Sequence, residues 1–179
     1  SVLASFSIFV LAYYGGQYAV ALMAIALCGS CLGFLYWNRN PARIYLGDAG
    51  ALFVGMMLAI LLIRLDPVSL EKVGALLTPV LVMAIPIIDT SVAVLSRINR
   101  GVSPFLGGRD HLSHRLQRRG MSRRHSAFTL WALSACFCAL ALSIQFLSGS
   151  AAFLIYVISI VSLGAIFIWF LKQPDFNPL

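Results

Sequence analysis

Six acidic residues occur in the 179-residue chain, and two of them stand where a carboxylate has chemical use. Asp48 closes a polar loop, Asn38-Arg39-Asn40-Pro41-Ala42-Arg43-Ile44-Tyr45-Leu46-Gly47-Asp48, and an apolar run follows it directly. Asp89 lies inside an apolar stretch, in Pro86-Ile87-Ile88-Asp89-Thr90. A third group is basic: Arg100, then Arg109-Asp110-His111-Leu112-Ser113-His114-Arg115. A carboxylate at a membrane surface can hold a divalent cation. Arginine and histidine together suit phosphate or pyrophosphate. Gly47 and Gly50 let a phosphate approach the backbone closely.

Each group also has a plainer reading. Asp48 stands where a helix N-cap would stand, so it is expected to cap the helix that follows. Asp89 lies about 12 Å in from the basic end of its segment at 1.5 Å per residue, where an ionisable side chain faces a cavity or a partner. It could pair with an arginine or a backbone amide. If 109–119 is helical, His111, His114, Arg115 and Arg118 share one face. The arginines alone would serve as an anchor on anionic head groups. That anchor accounts for Arg118, Arg119, Arg123 and Arg124, but not for two histidines beside Gly107-Gly108 and Asp110.

The elements that position these groups are apolar. Hydrophobic residues make up 60% of the chain and charged residues 11%, with mean hydropathy +0.92. A soluble domain carries roughly 25% charge. The composition excludes a disordered chain, a disulfide-stapled secreted domain and an ordinary soluble globule, and it argues against nucleic acid as a partner despite a net charge of +7. It points to an all-α, polytopic integral membrane protein. Segments 17–36, 49–63 (extendable to 47–65), 73–96, 126–147 and 150–171 are each expected to span the bilayer. Residues 1–14 read as one partial span. Pro86 frees a carbonyl one turn before it, so 73–96 is expected to be kinked or broken.

Residues 37–48, 97–125 and Lys172 hold 11 of the 13 basic residues, and all fall on one side of that topology. The positive-inside rule makes that side cytoplasmic. Arg64 and Lys72 on the other side are offset by Asp66 and Glu71. The chain reads as a single transmembrane domain over 1–179, with 97–125 as a cytoplasmic His/Arg-rich loop. Cys28-x-x-Cys31 and Cys136-x-Cys138 lie within apolar spans and read as small packing residues, not a zinc site.

Three ordered motifs carry a resemblance: Asn40-Pro41-Ala42-Arg43-Ile44-Tyr45-Leu46-Gly47-Asp48-Ala49-Gly50, Pro86-Ile87-Ile88-Asp89-Thr90, and Ser103-Pro104-Phe105 with Arg109-Asp110-His111-Leu112-Ser113-His114-Arg115-Leu116. They resemble the polyprenyl-phosphate N-acetylhexosamine-1-phosphate transferases, over essentially the whole chain, as the C-terminal half of a member. The resemblance implies transfer of a sugar-1-phosphate, N-acetylglucosamine-1-phosphate first among candidates, from a UDP-sugar to undecaprenyl phosphate, with release of UMP. It implies Mg²⁺, with Mn²⁺ as a substitute, and a bacterial inner-membrane location with the site facing the cytoplasm. A homodimer is among the assemblies it allows.

Carried over residue by residue, the resemblance makes Asp48 the Mg²⁺ ligand and, with Asp89, a catalytic carboxylate. Arg109, His111 and His114 become pyrophosphate contacts, joined by Arg100, Arg115, Asn40 and Gly47. Two positions depart from the family pattern: Ser113 replaces a histidine, and Ala51 stands where serine is usual. Serine can donate to phosphate but carries no charge. The family's paired aspartates and its Asn- and Asp-rich motif belong to an N-terminal half and are not in this sequence. The chain begins at Ser1 within an apolar run, so it reads as a piece of a longer enzyme, inactive alone. The rival readings are a phospho-N-acetylmuramoyl-pentapeptide transferase, a transporter with Asp89 as coupling residue, and a non-catalytic lipid-binding subunit.

Overall fold

The computed structural model describes residues 1–39, 41–65, 72–105, 108–147 and 149–173. Asn40, Asp66 and Glu71 lie outside the described residues. Those described form eight α-helices and no strand: α1 (Val2–Tyr14), α2 (Tyr18–Asn38), α3 (Gly47–Arg64), α4 (Lys72–Val82), α5 (Ala84–Asn99), α6 (Leu112–Arg118), α7 (Arg123–Phe146) and α8 (Gly149–Leu171).

Four of these, α2, α3, α7 and α8, are long and apolar enough to cross a membrane, and α1 is a shorter apolar helix. Their outward faces stay apolar. Leu22, Met23 and Leu32 of α2 and Phe153, Leu154, Ile160 and Val161 of α8 are all more than half or half exposed. Surface of that kind, running along whole helices, is stable in hydrocarbon and not in water. The protein is a multi-pass membrane protein.

The segment expected to span as 73–96 is two helices, not one. The break falls at Met83, where φ is −102° and ψ 16°. Pro86 cannot donate to the carbonyl four residues back, so the helix loses its ladder where the sequence anticipates it. Pro79 lies inside α4. α5 carries Asp89 and Arg97 toward the basic end, and Arg100 is its C-cap.

Two apolar cores hold the helices. The larger joins α1, α2, α3, α4, α7 and α8 through Ile8, Leu11, Leu27, Leu61, Leu81, Phe137, Ala141 and Tyr156. The smaller forms around Ile88 and Val92 of α5, Leu112 and Leu116 of α6, and Phe170 of α8, each at most 2% exposed. Burying leucines such as these contributes roughly 1.5–3 kcal/mol each. The second core therefore fixes the short α6, which at seven residues could not persist alone.

Side-chain contacts confirm which helix ends lie together. Tyr14 of α1 meets Phe146 of α7 edge to face at one end. At the other, Arg119 lies 5.0 Å from the Trp169 ring of α8. The ends rich in arginine thus share one end of the bundle, as the charge pattern requires.

Candidate functional site

The helical stretch expected over 109–119 begins only at Leu112. His111 takes an extended backbone (φ −64°, ψ 155°) as the N-cap, although its carbonyl still accepts from the His114 and Arg115 amides. The α6 amides need an acceptor, and one comes from another helix. Asp89 Oδ1 accepts the Leu112 amide at 2.7 Å, and Asp89 Oδ2 accepts His111 Nδ1–H at 2.8 Å. Of the two plain alternatives for Asp89 the backbone amide is found, while its second partner is a histidine in place of an arginine. With Nδ1–H so held, Nε2 of the half-exposed His111 ring is directed away from Asp89.

Asp110, next in the chain, is almost fully buried and is the hub of the loop. Its Oδ2 accepts Arg97 Nε at 2.9 Å and its Oδ1 accepts Arg100 Nη2 at 2.8 Å. Burial alone would raise its pKa. The Arg97 and Arg100 guanidinium groups outweigh that and hold the carboxyl below the usual 3.8. Arg97 also donates through Nη1 to the Pro104 carbonyl at 2.8 Å. These bonds close the 97–110 loop on the end of α5. Gly108 suits this closure, because a Cβ there would come within 2.6 Å of Asp110 Oδ2 unless one of them shifted.

Arg115 does not face a ligand. It is fully buried, with Nε donating to the Asp110 carbonyl and Nη1 to the carbonyls of Phe170 and Gln173. A guanidinium at a helix C-terminus satisfies carbonyls that have no intrahelical partner. The face shared by His111, His114, Arg115 and Arg118 is therefore split. Arg115 points inward to lock α6 against the end of α8. Arg100 is likewise engaged with Asp110 rather than open, while Arg109 is exposed. His114 is partly buried. Burial, then His111, Arg109 and Arg118, push its pKa below the usual 6.5, and only Asp89 opposes them. His114 is thus a neutral imidazole near pH 7, able to accept a proton or a hydrogen bond.

Asp48 corrects a second expectation. The N-cap of α3 is Leu46, and Asp48 lies inside the first turn with no side-chain cap bond. Gly47 adopts φ +67°, a left-handed conformation that glycine reaches freely, and this swings the chain from the loop into α3. Asp48 is exposed and has no hydrogen-bond or ion-pair partner among the described residues. The helix dipole favours its charge there. The structure does not join Asp48 to the Asp89–His111 cluster. α3 packs on α1 and α2, whereas α6 packs on α5 and α7. Among the described residues no three His, Cys, Asp or Glu side chains converge as a metal site.

Sequence reasoning passed over Arg97 and gave Asp110 no partner. Their spacing of 13 residues across a turn carries no periodic signal that would have paired them.

Residues 1–66 match the family model described as Glycosyl transferase family 4. A probable undecaprenyl-phosphate N-acetylglucosaminyl 1-phosphate transferase of Bacillus subtilis is 31% identical over 137 residues, which is 76% of this chain and 38% of that protein. A decaprenyl-phosphate N-acetylglucosaminephosphotransferase of Mycolicibacterium smegmatis is 36% identical over 139 residues, 70% of this chain and 34% of that protein. A putative phospho-N-acetylmuramoyl-pentapeptide-transferase of Methanothermobacter thermautotrophicus is 34% identical over 134 residues, 73% of this chain and 34% of that protein. The chain thus spans little more than a third of the length of these relatives. No solved structure matches it.

Proposed function

This chain belongs to glycosyl transferase family 4, and from that premise we propose that it forms part of an enzyme that transfers a sugar-1-phosphate from a UDP-sugar to a polyprenyl phosphate, releasing UMP. N-acetylglucosamine-1-phosphate is the proposed group, undecaprenyl phosphate the proposed acceptor, and the cytoplasmic face of a bacterial inner membrane the proposed place. The observation that carries the reading is Asp48: an exposed, unpartnered carboxylate behind a left-handed glycine, at the end of the bundle where the His/Arg loop is also held.

Asp48 fits one carboxylate of a Mg²⁺ site. Mg²⁺ typically keeps several waters and takes one or two carboxylates together with substrate phosphates, so the absence of a three-residue cluster among the described residues does not conflict with it. When bound, Mg²⁺ (or Mn²⁺ in its place) neutralises charge on the pyrophosphate. The chain's own residues do the rest by placement. Arg109 meets phosphate oxygens from solvent. His111, aimed by Asp89, presents the Nε2 lone pair of this tautomer, which accepts a hydrogen bond from a water or a substrate hydroxyl beside that charge. His114 enters neutral and can take up a proton as negative charge develops. The nucleophile, a lipid phosphate, is already anionic near neutral pH and needs no strong base. Positioning and charge stabilisation carry the rate.

The test is Mg²⁺-dependent release of UMP from a UDP-sugar by the full-length enzyme in polyprenyl-phosphate-containing membranes. Release that persists in Asp48→Asn at near-normal rate would remove Asp48 from the mechanism. A second reading, the pentapeptide transferase, is favoured by the likeness to the Methanothermobacter protein described above. Offering UDP-N-acetylglucosamine and UDP-N-acetylmuramoyl-pentapeptide in parallel separates the two.

A further inference from the structure

A cleft of about 410 Å³ opens at the basic end, lined by Tyr36, Trp37, Arg39, Pro41, Arg43 and Arg124. It lies between the end of α2 and the start of α7, apart from the Asp89–His111–Asp110 network. The loop leaving α2 is folded back to build it. The Arg43 amide donates to the Trp37 carbonyl at 2.9 Å, and Asn38 Nδ2 donates to the Ile44 carbonyl at 2.8 Å. This closure sets Arg39 over the Tyr36 ring at 5.2 Å and Arg43 over the Trp37 ring at 5.7 Å. The two rings meet edge to face at 5.3 Å. Arg124 reaches the same cleft from α7.

Three arginines therefore line the cleft, with no acidic residue among the described lining residues. None of the three has an ion-pair or hydrogen-bond partner for its side chain among the described residues. The rings hold Arg39 and Arg43 by cation–π contact, which fixes their place without using their N–H groups. Such preorganised forks match a phosphate bidentately. A dispersed positive-inside charge needs neither the folded-back loop nor the ring pair.

The cleft's level selects the ligand. Tyr36 and Trp37 are exposed at the end of a membrane-crossing helix, where amphipathic rings sit among lipid head groups. We propose that this cleft is a binding site for the head-group phosphate of an anionic glycerophospholipid of the surrounding bilayer. The lipid seats its phosphate on Arg39, Arg43 and Arg124, and its glycerol region against Tyr36 and Trp37. It would hold the α2–α3 loop, and with it the approach to Asp48, at a set depth.

Full-length protein in nanodiscs of phosphatidylcholine with a minor share of phosphatidylglycerol provides the test. After gentle extraction, co-purifying lipid is quantified by mass spectrometry. Wild-type protein is expected to retain phosphatidylglycerol selectively. R39Q/R43Q/R124Q is expected to lower its affinity about a hundredfold, roughly fivefold per arginine. The charge-matched R119Q/R123Q/K172Q, from the same end but outside the cleft, is expected to retain it. Equal loss in both triples means a diffuse field and overturns the site, as does undiminished retention in the first. R39K/R43K/R124K keeps the charge and removes the planar forks, so it answers the same question should the glutamine triple not fold. It is expected to lose about tenfold, and full retention would overturn the cleft geometry. Titration with inorganic phosphate and with UMP separates the sources. Binding of either that vanishes in the cleft triple while lipid retention stands would assign the cleft to a soluble phosphate instead. Turnover is not the readout, so this outcome is independent of the transferase reading.

Discussion

The two polar regions at the basic end use charge in opposite ways. In the 97–118 region, together with Asp89 of α5 that packs against it, nearly every charge is spent on the protein itself. Asp110 takes two arginines, Asp89 takes an amide and a histidine, and Arg115 ties three carbonyls. In the 36–48 region Asp48, Arg39 and Arg43 have no such partners among the described residues. The difference follows from the connection lengths. A long loop that folds against α5 and α8 must bury charges, and buried charges must be paired. A short loop entering a helix leaves its charges in water, where a ligand can reach them. Saturated charge builds the scaffold, and open charge is what a phosphate or a metal can use.

The contrast can be broken most directly at Asp48. If its charge is functional and not structural, Asp48→Asn should lower turnover of the full-length enzyme roughly thousandfold, about 4 kcal/mol of barrier, with its melting temperature in detergent unchanged. A matching fall in stability would put Asp48 in the scaffold after all. Asp110→Asn should do the reverse. Leaving Arg97 and Arg100 against a neutral amide should cost about 3 kcal/mol of stability, seen as a clear drop in melting temperature. Gly108→Ala sharpens the same point, since its Cβ strikes the Asp110 carboxylate. About 1–2 kcal/mol should be lost, and no loss would mean that the loop can move aside. Asp89→Asn keeps an oxygen for the Leu112 amide but loses the charge. It should cost about 1 kcal/mol and shift the pH profile of turnover, because the His111 ring is no longer held.

The smallest effect is expected from pH. His114 has a lowered pKa, so the unfolded chain takes up its proton before the folded one does. Stability of the α6 region should therefore be full above the usual 6.5 and fall as pH drops below it. Asp110 contributes in the same direction but lower, with stability present above 3.8 and lost as pH falls through its depressed value. Amide hydrogen exchange in α6 at pH 7.5 and 5.5 reads the first of these. Equal protection at both values would mean that His114 is not the group at work.

Hydropathy made the spans legible because a 30 Å hydrocarbon layer imposes a length and a composition that a sequence must display. Charge counting sorted the helix ends for the same reason, and Pro86 marked the break in 73–96 through its missing N–H. The candidate carboxylates Asp48 and Asp89 stood out as rare charges in apolar surroundings. What could not be read was which charges consume each other. Arg115 looked like a ligand residue by helical spacing, yet it is buried against α8, 55 residues further along the chain. Asp48 looked like a cap, yet the turn begins two residues earlier.

The amino-acid sequence by itself determined a multi-pass helical membrane protein with its basic residues at one end, since the bilayer acts on composition and length alone. Only the tertiary structure decided that Asp89 receives α6, that Asp110 gathers Arg97 and Arg100, and that Arg39, Arg43 and Arg124 line one cleft. Pairing between charges depends on distances across helices that no spacing along the chain encodes.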